Sequence, residues 1–212
     1  SSLGGLAPVI YRHMLQSGGK RLRPLLTLLS CAAAGGDPMN AVSLAVAAEV
    51  LHLASLIHDD VIDEAERRRG YPSARQRWGN RAAVLVGDFL VAEVFRGLAD
   101  ELQKDTLGIM ARTVAVMAQA ELDFSAAGEE ITESDYQRNI EGKTGALMGA
   151  VCEVGALAAD NREGASRLRA FGQKLGEAFQ IRDDLLDLYG DEAVVGKPVL
   201  QDLGKGQWTL PV

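Results

Sequence analysis

The chain has 212 residues, a formal net charge of −7, 47% hydrophobic residues and 5% aromatics. That length is enough for one sizeable apolar core, expected as a single domain over residues 1–212, and the acidic balance without a basic block excludes a nucleic-acid footprint. Two cysteines, Cys31 and Cys152, exclude a disulfide framework and read as buried thiols of a reducing compartment, the cytoplasm.

No membrane span is expected, because Glu49, Asp88, Glu93 and Glu153 interrupt the apolar runs. The N-terminal Ser1-Ser2-Leu3-Gly4-Gly5 lacks the basic and apolar regions of a signal peptide.

Taken in order, residues 6–16 predict a short helix that stops at Gly18-Gly19. Gly18-Gly19-Lys20-Arg21-Leu22-Arg23-Pro24 then sets three cations beside two glycines, with Pro24 expected at a first helical position. Such a segment can gather backbone N–H groups and cations on one anion, or simply face water. Residues 24–34 predict a second helix closed by Gly35-Gly36, and Asp37 or Asn40 caps a long helix over 41–66 that is apolar nearly all round. Within it Glu49-Val50-Leu51-His52 matches the Glu-x-x-His of di-iron bundles. That site needs a second copy, and neither His13 nor His58 follows a glutamate at that spacing.

The long helix ends in Asp59-Asp60-Val61-Ile62-Asp63. At helical spacing Asp59 and Asp63 share a face with Asp60 at its rim, and His52, seven residues before Asp59, falls on that face too. His52 could equally be a satisfied core histidine. Three adjacent carboxylates on an apolar stripe repel one another and call for a compensating cation, for which a hard divalent metal is the natural candidate. Arg67-Arg68-Arg69-Gly70 follows within one or two turns, and arginine forks suit phosphate oxygens as well as carboxylates.

Two further core helices are predicted over 80–98 and 101–127, then a polar loop at 128–135 leading into a capped short helix. Lys143-Thr144 precedes a helix over 145–159. A lysine near a helix start opposes the dipole unless it serves an anion. Asn161-Arg162-Glu163-Gly164 is a turn, and a last helix over 165–189 carries Gln180 and a second triad, Asp183-Asp184-Leu185-Leu186-Asp187. Two copies of Asp-Asp-x-x-Asp arise from this composition by chance roughly a few times in a thousand, so a solvated acidic face is a poor account of the pair. The tail from Gly196 to Val212 is a glycine- and lysine-rich loop. No alternation long enough for a sheet occurs, which predicts an all-α protein.

Residues 18–211 resemble the trans-prenyltransferases, the isoprenyl (polyprenyl) diphosphate synthases. The resemblance rests on Gly-Gly-Lys-Arg-Leu-Arg-Pro, His52 before Asp-Asp-x-x-Asp, Arg68-Arg69-Gly70, Lys143-Thr144, Phe179-Gln180 before the second triad, and Gly196-Lys197-Pro198, in family order. It implies a bundle of long helices around a central cavity (the isoprenoid synthase fold) and a homodimer. It further implies that Mg²⁺ held by Asp59, Asp60, Asp63, Asp183, Asp184 and Asp187 bridges an allylic diphosphate. Arg68, Lys143 with its neighbour Thr144, Gln180 and Lys197 would contact that diphosphate, and Lys20, Arg23, His52 and Arg69 would hold isopentenyl diphosphate. In such a reaction the metal and cations stabilise departing pyrophosphate, so no protein nucleophile is needed, and no Ser/His/Asp or Cys/His arrangement is present.

The resemblance also implies a cation where Gln207 stands, which is either missing here or supplied by Lys205, and further chain before Ser1 and after Pro211, so the sequence reads as truncated or partly disordered at its C-terminus. Ala54 and Ser55, five and four residues before Asp59, stand where bulky residues stop chain growth in short-chain relatives. Being small, they imply a product longer than farnesyl diphosphate, its floor set deeper by residues such as Phe89 or Phe95. The rival readings are a terpene cyclase, which would line its pocket with aromatics scarce in this chain, and a non-catalytic subunit of a heteromeric synthase, which typically lacks one of the triads intact here.

Overall fold

The computed structural model describes residues 5–100, 104–126 and 131–190. Gly196, Lys197, Pro198, Lys205 and Gln207 lie outside these residues, as do Gly128 to Glu130. Packing divides the chain into two units, residues 1–25 with 42–107 and residues 26–41 with 108–212.

In the first unit, α1 (Leu6–Gln16) ends as the sequence predicts, before Gly18 and Gly19 at φ 90° and 131°. The next helix, α2 (Leu22–Ala33), starts two residues earlier than expected, so Pro24 stands third rather than first. It is still in the turn whose N–H groups lack intrahelical acceptors, which is why the proline is tolerated. A 3₁₀ turn, Pro38–Ala41, precedes α3 (Val42–Ile62). The expected continuation of α3 to residue 66 is wrong: Glu64 adopts φ 50° and breaks the helix, leaving Asp63 just beyond its last turn with its N–H still bonded to Asp59 O at 2.8 Å. By length and composition alone Pro38–Ile62, whose most apolar 18-residue window has mean hydropathy 1.7, would suffice to cross a bilayer, contrary to the expectation drawn from its charges. Half of its most apolar window is buried inside the protein, as befits a core helix.

After α3 comes a hairpin that the all-α reading passed over, β1 (Arg67–Arg68) and β2 (Tyr71–Pro72), antiparallel with Arg68 opposite Tyr71. Arg69 and Gly70 form its two-residue turn at φ 50° and 83°, the positive pair that a type I′ turn requires. A short helix also unforeseen, α4 (Ala74–Trp78), is capped by Ser73, whose Oγ accepts from Gln76 N and donates to Ala65 O at 2.6 Å. The next helix is α5 (Asn80–Asp100). Ile10 and Met14 of α1, Leu53, Ala54 and Ile57 of α3, Ala74 of α4, and Ala83, Val86 and Leu90 of α5 form this unit's core.

The second unit contains most of α6 (Lys104–Ala126), then α7 (Glu133–Ile140), whose N-terminus is closed by a reciprocal Thr132/Asp135 capping box. A π-helical turn, Glu141–Gly145, joins α7 directly to α8 (Ala146–Leu157). This removes the premise drawn for Lys143: it stands inside a continuous helical run, not at a helix start, so no dipole argument applies to it. The last helix, α9 (Arg162–Tyr189), begins at the Asn161 cap and packs along α8. The two approach backbone to backbone through glycines: a Cβ on Gly172 would lie 2.4 Å from Met148 O, and one on Gly176 2.8 Å from Gly145 Cα. Cys31 and Cys152 are buried free thiols, as the sequence predicts, and burial raises the pKa of both.

The α8/α9 approach yields a paired prediction. Gly172→Ala should destabilise the protein by ~1–3 kcal/mol, because the methyl meets a backbone carbonyl that cannot yield. Gly97→Ala, where nothing lies within 4 Å of the new methyl, should stabilise by about 0.5–1 kcal/mol through lost unfolded-state entropy. Urea unfolding followed by far-UV circular dichroism checks both, and equal effects from the two variants would refute the close-packing account.

Candidate active site

In the first unit the carboxylates arise at the end of α3. Asp60 is fully buried and accepts from Arg68 Nε at 2.7 Å, while Asp59 and Asp63 are half-buried. A buried carboxylate needs such a partner, and the hairpin delivers it. The hairpin is held in turn by His13 of α1, whose Nε2 lies 2.8 Å from Pro72 O and whose ring meets Trp78 edge-on at 5.1 Å. Ser73 N donates to Glu66 O at 2.8 Å, closing the loop after the helix.

The basic segment after α1 joins this assembly. Arg69 Nη1 donates to Gly18 O, and a Cβ on Gly19 would strike that guanidinium at 2.5 Å, so the second glycine makes room for the arginine. Arg21, itself at φ 51°, pairs through Nη1 with Glu49 of α3 and donates from Nη2 to Leu15 O at 2.8 Å. His52, one turn after Glu49, is pushed down to about 2, first by burial and then by the positive field of Arg23, Arg69, Arg68 and Arg21. It is therefore a neutral hydrogen-bonding group among cations. Arg23 is pushed down to about 10 by burial, with Glu49 opposing the shift and Arg69 adding to it, and it remains charged at neutral pH. Lys20 is exposed on the same segment. The guanidiniums of Arg23, Arg68 and Arg69 beside a neutral imidazole form a site whose mutual repulsion a bound polyanion would relieve, while Arg21 is taken up by Glu49 and Leu15 O.

Ala54 and Ser55 differ in setting. Ala54 is wholly enclosed in the α1/α3/α5 core, whereas Ser55 is half-buried and donates to His52 O at 2.9 Å. Phe89 packs against the same core.

In the second unit the site gathers on α9. Asp184 accepts from Tyr136 Oη at 2.5 Å and from Gln180 Nε2 at 2.9 Å, and Gln180 Oε1 accepts from Thr144 Oγ1 at 3.0 Å. The Asp184 carboxyl is raised, chiefly by burial and further by Asp183 and Asp187, against the lowering effect of the Tyr136 and Gln180 hydrogen bonds. Burial and the acceptance of its proton by Asp184 raise Tyr136 as well. Lys143 Nζ lies 2.6 Å from Glu121 of α6, an ion pair that fixes where its charge sits. Asp187 is buried and Asp183 half-buried. Among the described residues no three His, Cys, Asp or Glu side chains converge closely enough to cage a metal by themselves.

The structure sets Asp60 beside Arg68, His52 in the field of the arginines, and Asp184 with Gln180 and Thr144 on one hydrogen-bonded chain; sequence reasoning missed the partners Tyr136 and Glu121 and the Arg21–Glu49 link. The only sequence signal for Glu49 and Glu121 was a charge inside an apolar run, and for Tyr136 there was none.

The polyprenyl synthetase family profile matches residues 7–212. The chain is 40% identical over 203 residues to heptaprenyl diphosphate synthase component 2 of Geobacillus stearothermophilus, covering 94% of this chain and 63% of that one. It is 40% identical to the all-trans-nonaprenyl-diphosphate synthase (geranyl-diphosphate specific) of Rhodobacter capsulatus, over 100% of this chain and 66% of the relative. The crystal structure of a polyprenyl synthase from Caulobacter crescentus CB15, complexed with calcium and isoprenyl diphosphate, superimposes with a TM-score of 0.92 at 37% identity, covering 100% of this chain and 65% of that one. The chain therefore spans a little under two thirds of the length of these relatives. Its all-α fold is the isoprenoid synthase fold, and the chain belongs to the polyprenyl synthetase family.

Proposed function

We propose that the protein is a prenyltransferase that condenses isopentenyl diphosphate with an allylic diphosphate, with Mg²⁺ as cofactor, to make a medium- to long-chain polyprenyl diphosphate. The observation that carries this reading is the junction at Arg68. One side chain belongs both to the aspartate triad, through Asp60, and to the arginine cluster around His52, so a set of hard oxygen donors abuts a set of anion-binding cations.

The donor set fits a divalent cation. Mg²⁺ keeps several waters and is usually bound by one or two carboxylates plus substrate phosphates, so six aspartates that form no closed cage suit it better than a metal needing an all-protein shell. Asp59, Asp60 and Asp63, with Asp183, Asp184 and Asp187, would hold it. When bound, it supplies neutralisation of the charge that develops on the leaving diphosphate.

The rest is the work of the chain's own groups. Arg68, Lys143 and Gln180, with Lys197, bind the allylic diphosphate and stabilise it as the allylic C–O bond breaks and pyrophosphate departs with the electron pair. Tyr136 and Thr144 fix Asp184 and Gln180 in place through the hydrogen bonds described. Lys20, Arg23 and Arg69 bind isopentenyl diphosphate by charge, and neutral His52 adds a hydrogen bond without further repulsion. The double bond so positioned attacks the allylic carbon, and a proton passes to pyrophosphate. The buried free thiols support a cytoplasmic setting, and a homodimer is our reading of its assembly. A second reading, one subunit of a heteromeric synthase, draws support from the relative named as a component 2. Light scattering of the purified protein alone separates the two.

Asp59→Ala or Asp183→Ala should lower turnover by several orders of magnitude while leaving far-UV circular dichroism unchanged. Either variant turning over normally under Mg²⁺ would remove the metal assignment. Lys20→Ala, Arg23→Ala and His52→Ala should raise KM for isopentenyl diphosphate more than for the allylic substrate, and Lys143→Ala the reverse. Equal weakening of both substrates would mean that the two subsites are wrongly divided. Incubation with Mg²⁺, isopentenyl diphosphate and farnesyl diphosphate, with products weighed by mass spectrometry, should give chains of geranylgeranyl length or longer. Ser55→Phe should shorten them, since Ser55 is only half-buried and stands one turn before Asp59. Ala54→Tyr should instead destabilise the core that encloses Ala54. A wild-type protein that stops at farnesyl diphosphate under excess isopentenyl diphosphate contradicts the open-channel reading.

A further inference from the structure

Glu49 plays no part in the chemistry just described, although it is a carboxylate set in the middle of an apolar helix with its side chain only 12% exposed. Its spacing to His52 suggests a metal pair, but the surroundings forbid one: the imidazole lies in the field of four arginines, where a further cation would be repelled. What Glu49 does touch is Arg21. Within residues 18–24, Arg21 is the one non-glycine residue at positive φ, 51°. Such a backbone is strained for a residue with a side chain unless its surroundings hold it.

The guanidinium supplies that hold. One arm is on Glu49 of α3 and the other donates to Leu15 O, in the last turn of α1, at 2.8 Å. The segment between α1 and α2 is thereby tied to two helices at a single residue. Lys20 precedes that residue directly and Arg23 follows two later, so the direction of both side chains depends on how Arg21 is held. Glu49 is also the negative field that opposes the mutual repulsion of Arg23 and Arg69.

We propose that Glu49 is a positioning residue for the isopentenyl diphosphate subsite: by clamping Arg21 it fixes the left-handed turn that presents Lys20 and Arg23 to the diphosphate. This rests on the reading that Lys20 and Arg23 bind isopentenyl diphosphate. Glu49 itself touches no substrate, and the allylic subsite is independent of it.

The test compares Glu49→Gln, Arg21→Met and the double variant. Steady-state kinetics gives kcat and both KM values, and calorimetric titration of isopentenyl diphosphate into metal-free protein gives a Kd that does not depend on turnover. Each single variant should raise KM and Kd for isopentenyl diphosphate by about tenfold, equivalent to about 1.4 kcal/mol, with kcat and the allylic KM changed by less than about twofold. The double variant should be no worse than either single one, because both break the same link. Unchanged single variants, additive losses in the double variant, or equal rises in both KM values each overturn the proposal, the last by indicating a general loss of structure. Should Glu49→Gln fail to fold, Arg21→Lys decides. It keeps the charge but loses the two-armed clamp, and an unaltered KM there overturns the proposal. Wild-type protein that neither binds nor consumes isopentenyl diphosphate overturns the functional reading and this inference with it. Normal wild-type behaviour with an unaffected Glu49→Gln overturns the inference alone.

Discussion

A fully buried carboxylate at the end of an apolar helix must be met by a cation, and the first unit is built around meeting Asp60. Removing one partner of such a pair typically destabilises by about 3–5 kcal/mol. Arg68 can reach Asp60 only if the chain reverses at once after α3, which the left-handed Glu64 and the hairpin achieve. The hairpin in turn needs Arg69 and Gly70 in a type I′ turn. It also needs a brace on each side: His13 on Pro72 O, Arg69 on Gly18 O and Ser73 on Ala65 O. Each brace comes from a different part of the chain. One buried charge thus accounts for the placement of the glycine-rich segment, the arginine run and the short helix α4.

The second unit solves the same problem with different chemistry. Asp184 is partnered by a phenol and an amide rather than by a cation of the described residues, and burial and its two neighbouring aspartates push its carboxyl upward. The geometry follows from helix packing. Glycines let α8 and α9 approach closely, and the π-helical turn carries α7 into α8 without a break, so Tyr136 and Thr144 both come to α9 on one continuous helical run.

Much of this was legible in the sequence, and the failures have physical causes. The helices of 80–98, 101–127 and 165–189 were found to within about three residues because apolar periodicity and Asn or Gly punctuation are local signals. The aspartates stand out in the sequence because their spacing repeats. The hairpin was not, since strands of two residues show no alternation and its turn is Arg-Gly, not the usual Asn-Gly. The end of α3 was misplaced because Glu64 takes a left-handed conformation that nothing local demands. Lys143 was assigned a helix start that a π-helical turn abolishes. Tyr136 pairs with a residue 48 positions away and Arg21 with one 28 away, and neither pairing can be seen before the fold exists.

The preference for arginine over lysine at these positions follows from the same geometry. A guanidinium carries five N–H donors in a rigid fork, so one edge can bind the protein while another faces a ligand. Arg21 uses two arms on Glu49 and Leu15 O, Arg69 one on Gly18 O, and Arg68 its Nε on Asp60. Each is oriented by the protein through a defined part of the group. An ammonium has three donors at a single point, so a lysine engaged by a carboxylate directs its remaining hydrogens loosely. Lys143, paired with Glu121, is in that position. The arginines are therefore fixed and pre-oriented by the protein, whereas Lys143 offers a point charge held by its carboxylate partner.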